Sequence, residues 1–133
     1  MLDIENVVFT LVNEAVSEAN PKAKCYGELI DIPPSFPCVT VEEKDNYVPE
    51  KYREGNKEEK YTQLMYEINV YSNKSTGKKS EARALLNAVD KVLNYNGFRR
   101  TTANAVTMED THIYRMVARY SAIVDDEYFV YGG

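Results

Sequence analysis

The chain has 133 residues, 44% of them hydrophobic and 28% charged, with a formal net charge of -5. These values fit one soluble globular domain spanning 1–133 and exclude a disordered chain. The acidic balance argues against a dedicated nucleic-acid binder, and no apolar run approaches the ~20 residues a membrane-spanning helix needs.

The start, Met1-Leu2-Asp3-Ile4-Glu5, has neither a basic head nor an apolar block, so a cytoplasmic setting is expected. Cys25 and Cys38 are then expected as free thiols. Asp3 is placed to cap a first helix, with Leu2 and Val7 at the two staple positions. Ile4, Val7, Val8, Leu11, Val12, Ala15 and Val16 form a broad apolar stripe, which Asn20-Pro21 ends. This stripe is expected in the core, since burying each large aliphatic side chain stabilises by roughly 1.5–3 kcal/mol. Lys24–Asp31 reads as a short strand containing Gly27, and Pro33–Pro37 as a stiff turn. Cys38–Glu43 reads as a second strand with Val39 and Val41 inward, forming a hairpin-like pair with the first. Residues 44–60 are a long charged loop, a length that usually signals function or disorder. Its candidate contact residues are Tyr47, Val48, Tyr52 and Arg53.

Tyr61–Ser72 is the clearest strand, with Leu64, Tyr66, Ile68 and Val70 on one side. A basic turn, 73–79, leads into a helix over Ser80–Tyr95 that buries Ala82, Leu85, Leu86, Val89 and Leu93. Asn96-Gly97 stops it, and Phe98 is positioned to pack back on Leu93 in a Schellman-type cap. Thr101–Met108 reads as a strand. His112–Val124 is a longer one, with Tyr114, Met116, Ala118, Tyr120 and Ala122 on the helix side and Ile113, Arg115, Val117, Arg119 and Ile123 opposite. Asp125-Asp126-Glu127 is an acidic turn before a last short strand or arm, Tyr128–Tyr131. The order of elements predicts an α+β fold, an antiparallel β-sheet with two main α-helices packed on one face. Charge is unevenly spread. Residues 1–20 hold Asp3, Glu5, Glu14 and Glu18 and no Lys or Arg, whereas 74–100 hold seven cations against Glu81 and Asp90. Besides solvation, this pattern suits an acidic edge of one copy meeting a basic edge of another.

The chain carries no recognisable catalytic, cofactor-binding or metal-binding motif. Gly77-Lys78 lacks the glycine five residues earlier that a phosphate loop requires, and Lys79 stands where Ser or Thr would follow. One histidine and two cysteines cannot make the usual structural zinc site alone. Glu42, Glu43 and Glu67 with Lys74 do not form the Glu-x-Lys strand ending of a metal nuclease, because Ile68-Asn69 follows Glu67. No enzymatic activity, metal or cofactor is expected.

The run Tyr66-Glu67-Ile68-Asn69-Val70-Tyr71-Ser72-Asn73-Lys74, the helix closing on Asn96-Gly97-Phe98-Arg99-Arg100, and the strand Ile113–Ala122 together resemble the tail terminator, or head-to-tail joining, proteins of long-tailed bacteriophages and prophages. The resemblance implies a structural virion protein of the tail and neck, assembled in the host cytoplasm. It implies a ring of about six copies that caps the tail tube, stops its polymerisation and joins the tail to the head. Its partners would be further copies of itself, the major tail tube protein and the head-completion protein, with DNA passing through the lumen without specific binding. By position, Tyr47, Val48, Tyr52 and Arg53 would contact the tube or a neighbouring subunit. Arg115, Arg119, Asp125, Asp126 and Glu127 would line the ring seam or lumen. The alternative is another neck or minor capsid component, or a small prophage-encoded nuclease or hydrolase.

Overall fold

A computed structural model of the chain describes residues 1–28, 30, 33–49 and 61–132. The elements run α1 (Glu5–Ala19), β1 (Lys24–Tyr26), β2 (Cys38–Tyr47), β3 (Tyr61–Ser72), α2 (Lys78–Tyr95), β4 (Arg99–Val106), β5 (Tyr114–Asp125) and β6 (Val130–Gly132). They form an α+β fold whose six-stranded sheet has the order β1-β2-β3-β5-β4, with β6 also pairing β5. All pairs are antiparallel except β1 with β2. Both helices lie on one face, α1 against β1 and β2, α2 against β3, β4 and β5, and each packs on the other.

The centre is β3 between β2 and β5. Leu64, Tyr66, Ile68 and Val70 all face the helices and are fully or almost fully buried. Met116, Ala118, Tyr120 and Ala122 of β5 meet them in register. Small Ala118 and Ala122 beside large Tyr120 leave room for Leu85, Val89 and Leu93 of α2, and Val8, Val12 and Val16 of α1 complete the layer. The edge of the α1 stripe differs from expectation. Val7 is 58% exposed, so it is no staple, and the helix buries the narrower set Ile4, Val8, Val12 and Val16. Asp3 does not cap the helix in the usual way either. Its carboxylate accepts the Glu5 N–H at 3.1 Å, while Ile4 occupies the cap position. The N-terminus is tied down by Asn46, which donates to the Leu2 carbonyl at 2.7 Å.

The stop of α2 is as the sequence predicts. Phe98 N–H bonds the Leu93 carbonyl at 2.9 Å and Gly97 N–H bonds the Asn94 carbonyl at 3.1 Å, the paired bonds of a Schellman motif. Gly97 sits at φ 90 and Phe98 is buried. At its other end α2 starts at Lys78, earlier than expected, on Gly77 at φ 86. The Ser72 hydroxyl donates to Glu81 at 2.7 Å, tying the end of β3 to the first turn of α2.

Several strands differ from expectation, and β1 ends at Tyr26 where the sequence predicts a strand to Asp31. β1 runs parallel to β2, not as a hairpin: Lys24 pairs Cys38 and Tyr26 pairs Thr40. β2 continues to Tyr47 through a bulge between Glu43 and Asp45, so Lys44–Tyr47 belong to the sheet and not to the loop expected over 44–60, of which residues 50–60 lie outside the described residues. β4 and β5 are each shifted by a residue or two, to Arg99–Val106 and Tyr114–Asp125. His112 therefore lies in the exposed turn before β5, beside Asp110 at 3.2 Å. That turn's backbone and ring N–H groups hold the Asp110 carboxyl below its usual range. Cys25 and Cys38 are free thiols, and burial pushes both up to about 12.

Candidate functional site

The face of the sheet away from the helices is the chain's most organised polar surface. Its rows follow from the strand register. Cys38, Tyr71, Arg115 and Val106 make one row across β2, β3, β5 and β4. Thr40, Asn69, Val117 and Asn104 make the next, and Glu42, Glu67, Arg119 and Thr102 the third. Charged side chains here are pinned to one another. Arg119 donates Nε and Nη2 to one oxygen of Glu67 at 3.2 and 3.0 Å. The second oxygen of Glu67 accepts the Asn69 amide at 3.3 Å. Arg115 Nε donates to the Asn69 carbonyl oxygen at 2.9 Å, and its guanidinium carbon lies 5.6 Å from the Tyr71 ring centre. The bulge in β2 brings Lys44 onto Glu42. This ion pair lifts the Lys44 ammonium above its usual value. Glu67 and Asn69 are buried while Arg119 is exposed, so the result is a row of fixed cationic heads over a buried acceptor layer.

Arg115 and Arg119 are thus brought together on one face, as their spacing predicts. Tyr47 and the acidic turn, which the sequence assigns to different contacts, share one end of the sheet. Tyr47 pairs Gln63, Gln63 pairs Ile123, and Ile123 pairs Tyr131 of β6. Tyr47 is exposed there and Val48 is half-buried, while Tyr52 and Arg53 lie outside the described residues. Asp126 and Glu127 are exposed, but Asp125 is not an open acidic group. It is buried, and its carboxylate accepts the N–H groups of Glu127 and Phe129 at 2.9 Å each and the Tyr131 hydroxyl at 3.0 Å. This carboxylate builds the turn into β6. Tyr128 holds φ 67 on that turn, and Tyr128 and Phe129 are each 62% exposed. Tyr131 stacks edge-on against Tyr61, ring centres 6.2 Å apart. The exposed aromatic tip is an addition to the sequence-derived set; its signal was the dense Tyr128-Phe129-Val130-Tyr131 run.

The carboxylates considered for metal chemistry are engaged otherwise: Glu42 with Lys44, Glu67 with Arg119 and Asn69, Glu43 with Tyr66. Among the described residues no group of three His, Cys, Asp or Glu is placed to hold a metal ion. Glu43 borders a cavity of about 240 Å³ under the start of α1, lined also by Glu5, Phe9 and Tyr66. The Tyr66 hydroxyl donates to Glu43 at 2.9 Å. Burial is the main cause raising the Tyr66 hydroxyl, helped by Glu43. Burial also raises the Glu43 carboxyl, with Glu5 and Asp3 adding to it against the Tyr66 and Asn46 hydrogen bonds. A carboxyl raised by folding favours its protonated form in the fold. Its stabilising contribution is complete below the ordinary value of 4.5 and is lost as pH rises through the raised one. Glu43→Gln keeps an acceptor for Tyr66 without the charge. It is expected to raise the urea midpoint at pH 7 and to give no gain below pH 4.5, checked by parallel unfolding curves at both pH values.

No family model matches the chain, and no curated protein is significantly similar to it.

Proposed function

We propose that the chain is a ring-forming structural protein of a long-tailed bacteriophage or prophage particle, a tail terminator that caps the tail tube, ends its polymerisation and joins the tail to the head. The observation that carries this reading is the open sheet face. One face of the sheet is sealed by helices, and the other presents ion-paired side chains locked to one another rather than a pocket. Such a face keeps its shape, with Thr40, Glu67, Asn69 and Tyr71 buried in it and Arg119, Thr102 and Asn104 exposed, which suits repeated contact with copies of itself and with a tube rather than turnover of a small substrate. The end of the sheet bearing Tyr47, Asp126, Glu127, Tyr128 and Phe129 offers exposed aromatics and acids together. Tyrosine and phenylalanine supply contact area, and this end is assigned to the tail tube or head-completion partner. An acidic chain assembled around a lumen would let DNA slide without sticking, since like charges repel.

The test is electron microscopy of particles made without the gene, with mass measurement of the purified protein. Full heads left unjoined and tails of uncontrolled length are expected, together with rings of about six copies formed alone or on tube ends. Normal virions in its absence, or a strict monomer that cleaves DNA with magnesium, would overturn the proposal.

A further inference from the structure

Two oppositely charged surfaces lie away from the open sheet face. The first is the groove between β4 and α2. β4 is the last strand of the sheet, and seven of its eight residues are exposed. Exposed strand edges are normally covered or blunted, and this one is long. The groove beside it measures about 420 Å³. It is lined by the cations Lys79, Arg83 and Arg100 and by apolar Leu86, Ala103, Ala105, Tyr114 and Met116, and no carboxylate lines it among the described residues. Arg100 is held by Asp90 at 3.3 Å. Among the described residues Lys79 and Arg83 have no carboxylate within ion-pair distance.

The second surface is the outer side of α1. Val7, Leu11, Glu14 and Glu18 follow one another at helical spacing along it. Val7, Glu14 and Glu18 are exposed and Leu11 is half-buried. The stripe is apolar in its first half and acidic in its second. Lys91 of α2 lines a shallow cavity together with Leu11, Glu14 and Glu18, without pairing with either acid among the described residues.

We propose that the β4–α2 groove of one copy receives the acidic α1 stripe of the next. Each surface supplies what the other lacks: Glu14 and Glu18 for Lys79 and Arg83, and Val7 and Leu11 for the apolar lining. Ala103 and Ala105 leave the space a helix requires, where larger side chains would fill it. The two surfaces are different parts of one chain, so the contact is head-to-tail and repeats around a ring or along a filament. This rests on the ring reading above and assigns its seam, leaving the open sheet face and the aromatic tip for other partners. The contact is carried by charge and is expected to weaken with salt.

The test uses two full-length double variants, Lys79→Glu with Arg83→Glu, and Glu14→Lys with Glu18→Lys, all at exposed positions, with circular dichroism confirming that each folds. Sedimentation of wild type is expected to show assembly that recedes as salt rises. Each double variant alone should need at least about tenfold more protein to assemble, a loss of about 1.4 kcal/mol or more. An equimolar mixture of the two should recover assembly, because each acidic surface again faces a basic one. Loss in both variants without recovery in the mixture would overturn the pairing. Undiminished assembly of either variant would place the seam elsewhere and leave the ring reading standing. A wild-type chain that stays monomeric at the highest attainable concentration would overturn the inference too, and rings on tail ends in that same sample would preserve the broader reading.

Discussion

Gly97→Ala is expected to destabilise the protein by about 2 kcal/mol or more, and Gly77→Ala by only about 1 kcal/mol. Both glycines occupy the left-handed region, at φ 90 and φ 86, so both substitutions incur the same backbone strain. They differ in the space around them. A Cβ on Gly97 would meet Val130 Cγ1 at 2.9 Å, whereas one on Gly77 would meet nothing within 4 Å. At position 97 the new methyl group pushes on β6, which pairs β5 through Val130 and Val124. The helix stop and the last strand must then separate, or the Schellman bonds from Gly97 and Phe98 must lengthen. Urea unfolding of the two variants measures the difference, with an unchanged slope showing that only stability has moved. Val130→Ala in the Gly97→Ala background should recover part of the loss, because it removes the atom at 2.9 Å. Equal losses at the two positions, with no relief from Val130→Ala, would show that β6 does not press on the stop.

That turn was legible in the sequence for a local reason. Asn96-Gly97-Phe98 after an apolar helical stripe is a signal contained in a few residues, as is the strict alternation of Tyr61–Ser72 and of Tyr114–Val124. These segments fix their own type and their own inward face. What depends on distant partners was not legible. The run Lys44–Asn46 has little preference for a strand, yet β3 pairs with Asp45 and Asn46 through Met65 and Leu64 and carries β2 on to Tyr47. The direction of β1 is set by its pairing with β2, and a three-residue strand carries no local signal of that direction. Asp125 reads as a solvent-facing acid because it precedes Asp126 and Glu127, and only the folded turn shows three donors converging on it. For the candidate face, the sequence placed Arg115 and Arg119 on one side of a strand. It could not show that Glu67 lies opposite Arg119, because those residues are 52 apart and meet only through the β3–β5 register.

That register supports the second large effect. Arg119→Ala is expected to cost about 2 kcal/mol, because it leaves the Glu67 carboxylate with the Asn69 amide as its remaining side-chain partner in a nearly closed site. Lys44→Ala, at the neighbouring but exposed ion pair with Glu42, should cost less than about 0.5 kcal/mol. The difference lies in the acceptor. Glu67 has a side chain 10% exposed and Glu42 one 27% exposed, and Glu67 loses two guanidinium N–H donors where Glu42 loses one ammonium. Glu67→Gln should cost less than Arg119→Ala, since the amide retains an oxygen for the guanidinium and removes the charge that needs it. In the double variant Glu67→Gln with Arg119→Ala no buried charge remains. Its loss should therefore fall short of the sum of the single losses by about 1 kcal/mol or more. Urea unfolding of the four proteins closes the cycle, and strict additivity would show that the pair is a surface contact whose members act independently. The comparison also bears on how the face is built. If the guanidinium is held by a buried carboxylate, its cationic head is fixed before any partner arrives. An Arg119→Lys variant, with a point charge in place of the two-nitrogen grip, should then keep the charge and still lose part of the stability that Arg119→Ala loses.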